Sequence, residues 1–369
     1  DGETTAPSCS VILKHLFFPA SFFPSIGGAQ GSLINFLHCF GSEEKLFFAL
    51  GLRSFFYSLI NDKRFQLTIP YVGRILRNDK ILKSYLMILA LVVKPDIVWL
   101  YGGGELAARI IRHRKLFRPS TKFVIRSMGS DIQYDASTNY GIQKGTQEYE
   151  FITNMYQNAD YLWALSDEIE KIYRRDIAID QNKILQCGNC IIRPSESYKK
   201  NDNKKLNIGV IGRNHPKKNF NLLNAIIDKL DPDRFNFVLK TPGFQLEKKH
   251  INVIYEPVSN ISNLIYWPPD DVWEFYDKVD VVLILSKVES FGNVTFEAGL
   301  SDCSIIINKQ TTGGDIAIEY DFDVYTYNSF DAIEICGVIV NFKINKNKNV
   351  QRDLNKEKLT LLVDRIMHD

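Results

Sequence analysis

The sequence is poor in the features that mark specialised classes. Its six cysteines are scattered over 369 residues, which excludes the disulfide framework of a small secreted domain. The one close pair, Cys187 and Cys190 in "CGNC", has no second pair to complete a zinc site and no thioredoxin-like surroundings, so a reduced, cytosolic setting fits best. No apolar run reaches the roughly 18 residues that cross a bilayer; "YLMILALVV" is half that length. The stretch "VILKHLFFPASFFP" has no basic region before it and is broken by Lys14 and two prolines. It reads as a strand and loop rather than a signal peptide. A formal net charge of +2 gives no overall attraction to nucleic acid. There is no GxGxxG fingerprint and no short-period repeat.

What is present is the composition of a globular protein, 45% hydrophobic and 24% charged, with length for two domains. Short apolar runs alternate with helical patterns: "SVILKHLFF", "GSLINFLHCF", "DIVWLY", "LAARIIRHRKL", "KFVIRSM", "YLWALS". After the polar "IIRPSESYKKNDNKK" the same order restarts with "LNIGVIG", "FNLLNAIIDKL", "FNFVLK", "DDVWEFYDKV", "DVVLILS", "VTFEAGL" and "SIIIN". Strand–helix alternation predicts α/β architecture with parallel sheets covered on both faces. We place a first domain at about residues 1–190, a second at about 191–350 and a closing helix in 351–369 that packs back towards the first. Two such sheets present the carboxyl ends of their strands to an interdomain cleft, where ligands bind.

The loops at those strand ends carry the candidate chemistry. In "ESFGNVTFEAGL", Glu289 lies on the loop after "DVVLILS", Asn293 is a reasonable N-cap and Glu297 falls in the opening turns of the next helix. Gly292 allows close backbone approach, and the N–H groups of residues 294–296 favour an anion. An anion cradle flanked by two acceptors suits a nucleotide sugar; a glutamate at a helix start and another in solvent is the bland alternative. The loop "RNHPKKNFNLL" offers Arg213 and Lys218 for a departing diphosphate, with Lys217 as a rival for the lysine. On the first domain, Gly27 and Gly28 in "SIGGAQGS" sit where backbone approaches a phosphate or sugar, with Gln30 beside them. Asp131 in "SMGSD" ends another strand, as a ligand or a turn residue. "YGGGE" reads as a turn. The run "RIIRHRKLFRPSTK" gathers Arg109, Arg112, Arg114, Lys115, Arg118 and Lys122 without an acidic residue, as a solvated face or a contact with anionic lipid or phosphate.

These motifs resemble retaining GT-B glycosyltransferases of glycosyltransferase family 4. "ESFGNVTFE" is similar to their Glu, seven residues, Glu motif; "IGRNHPKKNFNLL" resembles their "GR…K" loop, "SIGGAQ" their glycine loop and "VIRSMGSD" their "HGxD" segment. The similarity runs in order from about residue 11 to about 325. It departs at Met128, which stands at the family's histidine, at "SDCS" after the second glutamate, and at "TPGF" where a glycine-rich turn is expected. His215 does not replace that histidine.

The resemblance implies two Rossmann-like domains and transfer of a hexose-type sugar with retention at the anomeric carbon, without metal or cofactor. Arg213 and Lys218 would hold the diphosphate, Glu297 the ribose hydroxyls and Glu289 a sugar hydroxyl near the reacting carbon. The backbone of Phe291, Gly292, Asn293 and Val294 would contact sugar and phosphate, with Gly28 on the phosphate side and Gly27, Gln30 and Asp131 towards the acceptor. The expected donor is a UDP-sugar ahead of a GDP-sugar. The expected acceptor is a saccharide, lipid-linked as in bacterial surface-polysaccharide assembly, with the protein in the cytoplasm or peripheral at the inner membrane through Arg109–Lys122. Nucleic acid is not an expected partner. A glycoside hydrolase, a nucleotide-sugar epimerase and a non-catalytic sugar-nucleotide-binding protein are the competing readings.

Overall fold

The computed structural model describes residues 13–19, 28–40, 44–51, 67–71, 75–127, 129, 132–138, 140–193, 205–257, 270–343 and 353–368. Gly27, Met128 and Asp131 lie outside these residues, as do the side chains of Gly28 and Gln30.

The first sheet comprises β1 (Lys14–Pro19), β2 (Lys45–Gly51), β3 (Leu67–Tyr71), β4 (Ile97–Tyr101), β5 (Lys122–Arg126), β8 (Tyr161–Ala164) and β9 (Ile184–Gln186), in the order β3-β2-β1-β4-β5-β8-β9. A two-stranded hairpin, β6 (Tyr134–Asp135) and β7 (Tyr140–Gly141), interrupts the chain between β5 and β8. All pairs in the seven-stranded sheet are parallel. Its strands read as unbroken apolar runs because both faces are covered: all five residues of β4 are buried. His15 belongs to this interior. Its Nδ1 accepts from Trp99 Nε1 at 3.2 Å, which leaves Nε2 to donate to Glu44 at 3.3 Å.

The crossover helices are α1 (Gly28–Phe36), α2 (Asp79–Val92), α3 (Glu105–Arg112), α4 (Gln147–Gln157) and α5 (Asp167–Asp176). Their starts follow capping chemistry. Asn78 accepts from the amides of Lys80 and Ile81, Thr146 from Tyr149 and Ser166 from Ile169.

A short strand, β10 (Ile191–Ile192), leads to the second sheet: β11 (Leu206–Ile211), β12 (Phe235–Lys240), β13 (Val253–Tyr255), β14 (Val281–Ile284), β15 (Ser304–Asn308) and β16 (Val324–Tyr327), ordered β13-β12-β11-β14-β15-β16 and again all parallel. Its helices are α6 (Leu222–Lys229), α7 (Asp270–Asp277), α8 (Asn293–Leu300), α9 (Thr312–Glu319) and α10 (Ala332–Asn341). The chain then returns through β17 (Asp353–Leu354), antiparallel to β10, into α11 (Lys356–His368). Leu359, Leu362, Val363 and Ile366 of α11 are buried in one apolar cluster that also holds Phe17 and Trp163 of the first sheet and Phe291 and Phe296 of the second domain. Thr360 Oγ1 donates to the Cys39 carbonyl at 3.3 Å, on the first-domain side.

In each sheet the strand order reverses once, between β1 and β4 and between β11 and β14. Loops leaving the carboxyl ends of two such neighbours run in opposite directions and leave a crevice between them. The loops after β11 and β14 are those carrying Arg213–Lys218 and Glu289–Gly292.

Candidate active site

The β11 loop turns at Gly212, whose φ of 144° suits a residue without Cβ. It then forms a single 3-10 turn over Pro216–Lys218, capped by His215, whose Nδ1 accepts from the Lys217 amide at 3.2 Å. Asn219 ends the turn in the left-handed region. The Lys287 amide donates to the Lys217 carbonyl at 2.8 Å and so fastens the β14 loop to it. Across this junction Lys218 Nζ forms a short ion pair with Glu289, both side chains being largely buried.

Several titratable groups crowd around that pair. Burial by itself would raise the Glu289 carboxyl, but the Lys218 and Lys217 ammonium groups overrule it and hold the group below the usual carboxylate range. Burial lowers Lys217, assisted by the like charges of Lys218 and Arg213 and opposed by Glu289. Its Nζ lies 4.2 Å from the centre of the Tyr140 ring, an aromatic face supplied by the first domain. Burial also lowers His215, with Lys217, Arg213 and Lys218 adding to the effect. Arg213 is exposed. Lys217 and Lys218 therefore both stand beside Glu289.

The second glutamate behaves differently. Glu297, 5% exposed in α8, accepts from Tyr276 Oη of α7 at 2.7 Å. Burial pushes its carboxyl up to about 7, against the opposing effects of Tyr276 and Lys218. Spacing placed both glutamates near one ligand. The fold lowers one carboxyl beside lysine and raises the other to about 7.

Asn293 was expected as the N-cap of α8, and this is corrected. Gly292 occupies that position with φ 85°, there is no side-chain cap, and Asn293 is the first helical residue. Its Oδ1 accepts instead from Asn189 Nδ2 at 2.7 Å. The Thr295 amide is likewise engaged, donating to the Gly292 carbonyl at 2.9 Å. Phe291 is buried and stacks on Phe296 with ring centres 4.2 Å apart, so its ring belongs to the interior. Val294 is half-buried.

Two first-domain residues close on the same loop. Ser290 Oγ donates to Gln133 Oε1 at 3.0 Å, and a Cβ added to Gly129 would lie 1.7 Å from Ser290 Oγ. That glycine admits the contact. Tyr276, Tyr140, Gln133 and Asn189 were not singled out from sequence, since each meets the site through partners 21 to 157 positions away. No local spacing signals them.

The remaining motifs resolve structurally. Cys187 and Cys190 are buried and form no disulfide, and burial pushes the Cys187 thiol up to about 12, which disfavours its thiolate at neutral pH. In the basic run, Arg109 pairs with Asp79 and Glu105, Arg114 with Asp160 at 2.6 Å and Arg118 with Asp96 at 2.7 Å. The run lacks acids in sequence but finds them in space; Arg112 and Lys115 stay exposed. Among the described residues, no group of three or more His, Cys, Asp or Glu is placed to hold a metal ion.

No protein-family model and no curated protein matches the sequence. Solved structures do. The chain is similar to HepE of Anabaena, whose crystal structure holds UDP and glucose, at 13% identity and a TM-score of 0.64 over 96% of this chain and 94% of that one. It is similar to the lipopolysaccharide outer core galactosyltransferase WaaB at 17% identity and a TM-score of 0.57, covering 96% and 95%. The UDP-N-acetylglucosamine 2-epimerase of Rickettsia bellii reaches 10% identity and a TM-score of 0.57, covering 97% and 96%. At such identities the likeness concerns the backbone. The chain has the α/β fold of two parallel-sheet domains that is found in GT-B glycosyltransferases.

Proposed function

We propose that the protein is a retaining, metal-independent glycosyltransferase that moves a sugar from a nucleotide donor, UDP-linked ahead of GDP-linked, to a saccharide acceptor. The observation that carries this reading is the meeting of Lys218 with Glu289 directly before Gly292 and the start of α8, at the point where the second sheet reverses order. The diphosphate would lie on Arg213, Lys217, Lys218 and the backbone of Phe291–Val294. It competes with Glu289 for Lys218 and so releases that carboxylate towards a sugar hydroxyl. Glu297 would take the ribose hydroxyls, and the start of α1 the phosphate side from the first domain.

In the reaction the bond from the anomeric carbon to the phosphate oxygen breaks, and the nucleoside diphosphate leaves with both electrons. The acceptor oxygen bonds the same carbon from the same face, and its proton passes to the departing phosphate. Lysine charge that grows in value as the diphosphate becomes more negative is transition-state stabilisation of the electrostatic kind.

Titration with UDP, GDP, ADP, CMP and dTDP without metal, on the wild type and on Lys218→Ala, tests the reading. Tight binding of one nucleotide, weakened at least about tenfold in the variant, is expected. Glu289→Ala should lower turnover more than donor affinity, and Glu297→Ala the reverse. A donor sugar altered without acceptor would favour an epimerase, release of sugar from a simple glycoside a hydrolase, and nucleotide binding without turnover a non-catalytic protein.

The acceptor is proposed to be lipid-linked, with the protein peripheral at the cytoplasmic face of a bacterial membrane, as in surface-polysaccharide assembly. Support comes from α2, whose outward face bears Ile81, Ile88, Leu91 and Val92 at 43 to 70% exposure, flanked by Lys80, Lys83, Lys94, Arg112 and Lys115. Because Arg114 and Arg118 are committed to aspartates, this face rather than the run 109–122 as a whole is the contact. Sedimentation with vesicles of phosphatidylglycerol and phosphatidylcholine should be lost in Leu91→Ser/Val92→Ser; unchanged sedimentation sinks the membrane contact.

A further inference from the structure

The segment "CGNC" is held on both of its flanks. On the first-domain side, the Cys187 amide donates to the Ala164 carbonyl at 3.0 Å, Trp163 Nε1 donates to the Cys187 carbonyl at 2.6 Å, and Asn35 Nδ2 of α1 donates to the Cys190 carbonyl at 3.2 Å. On the other side it lies along α8. A Cβ added to Gly188 would sit 2.3 Å from Phe291 Cε2, so the glycine backbone packs directly on the ring of the donor motif. Asn189 reaches the first residue of α8, and Arg193 Nη1 donates to the Leu300 carbonyl at 2.7 Å, at its last. One strand of chain grips the same helix at both ends.

Asn189 is the informative residue because its amide is used in both directions. Its Oδ1 accepts from Arg126 Nη2, and its Nδ2 donates to Asn293 Oδ1. Arg126 is itself buried at the end of β5, its guanidinium 4.6 Å from the Tyr101 ring centre and 5.4 Å from that of Trp163, and it also donates to Ser32 Oγ of α1 at 2.9 Å. A side chain held by an oriented amide on one side and a fixed cation on the other has little freedom to turn. The line Ser32–Arg126–Asn189–Asn293 thus joins α1 to α8, the two helices whose starts face the cleft from opposite domains.

We infer that Asn189 is a positioning residue of the donor site, fixing the first turn of α8, and with it the backbone of Phe291–Val294, against the first domain. The inference rests on the donor-site reading above, and the experiment separates the two. Amide hydrogen exchange over residues 292–296 is measured without ligand on the wild type and Asn189→Ala. UDP affinity is measured on both, on Asn293→Ala and on the double variant. Faster exchange confined to that turn, a loss of UDP affinity of about tenfold in either single variant, and no further loss in the double variant are expected. Unchanged exchange overturns the inference, as does faster exchange with unaltered UDP affinity, which leaves Asn189 a merely structural link. Additive losses in the double variant overturn the direct line between the two asparagines. If the wild type binds no nucleotide, the donor reading falls, and exchange alone decides whether Asn189 holds α8.

Discussion

Two glutamates eight positions apart acquire opposite electrostatic characters from a few neighbours. Glu297 is buried with a phenol beside it, burial outweighs the opposing effects of Tyr276 and Lys218, and its carboxyl rises from the ordinary 4.5 to about 7. The sign of its effect on stability follows. A proton held more tightly in the folded chain than in the unfolded one stabilises fully below about pH 4.5, and that contribution disappears as pH rises through about 7. It amounts to about 3 kcal/mol. Glu297→Gln should therefore gain stability relative to the wild type between pH 5 and pH 8, by a similar amount, in urea unfolding at the two values. A difference independent of pH would mean that Glu297 is ionised throughout. Donor affinity should move oppositely, rising through about pH 7 as the carboxylate becomes available to ribose hydroxyls, with that part of the rise absent in Glu297→Gln. For Glu289, removing its ion-pair partner in Lys218→Met leaves a largely buried carboxylate with only the Lys217 charge and a Ser286 hydrogen bond. The expected destabilisation is on the order of 2 kcal/mol, below the roughly 3–5 kcal/mol of a fully buried pair, measured by the same unfolding.

At the scale of elements, the strand–helix alternation was legible because buried parallel strands are continuous apolar runs, as in "IVWLY" and "SIIIN". The loops after β11 and β14 were legible as candidate sites because they join such a run to a helix start. What sequence could not disclose is adjacency. Nothing in "WEFYDKV" marks Tyr276 as the partner of Glu297, and nothing in "CGNC" marks Asn189 as the neighbour of Asn293, since both meetings depend on which strands lie side by side. The N-cap of α8 was misassigned for a related reason. Asparagine is a good cap by local chemistry, but here its side chain is claimed by a residue 104 positions earlier. Gly188→Ala tests the packing at this joint. With its Cβ 2.3 Å from Phe291 Cε2 and 2.6 Å from Asn355 Nδ2, the substitution should cost about 1–3 kcal/mol, and Phe291→Leu in the same chain should recover part of it in thermal unfolding.

For the whole molecule, the apolar cluster that spans the domains makes the last helix part of the interior rather than an appendage. Removing residues 356–369 exposes the sites of Leu359, Leu362, Val363 and Ile366, all buried. At roughly 1.5–3 kcal/mol for each such side chain, the loss rivals the entire net stability of an ordinary domain. The truncated chain should show no cooperative thermal transition. A sharp transition near that of the full chain would show that α11 contributes little to the core. The chain passes between the domains twice, and the two passages are hydrogen-bonded to each other as β10 and β17, Ile191 opposite Leu354 and Ile192 opposite Asp353. A ribbon two strands wide flexes across its flat face and resists bending edgewise, as a strap hinge does on a door. Severing this pairing with Ile192→Pro should therefore loosen both passages together, read as faster amide exchange at residues 191 and 353–354 alike.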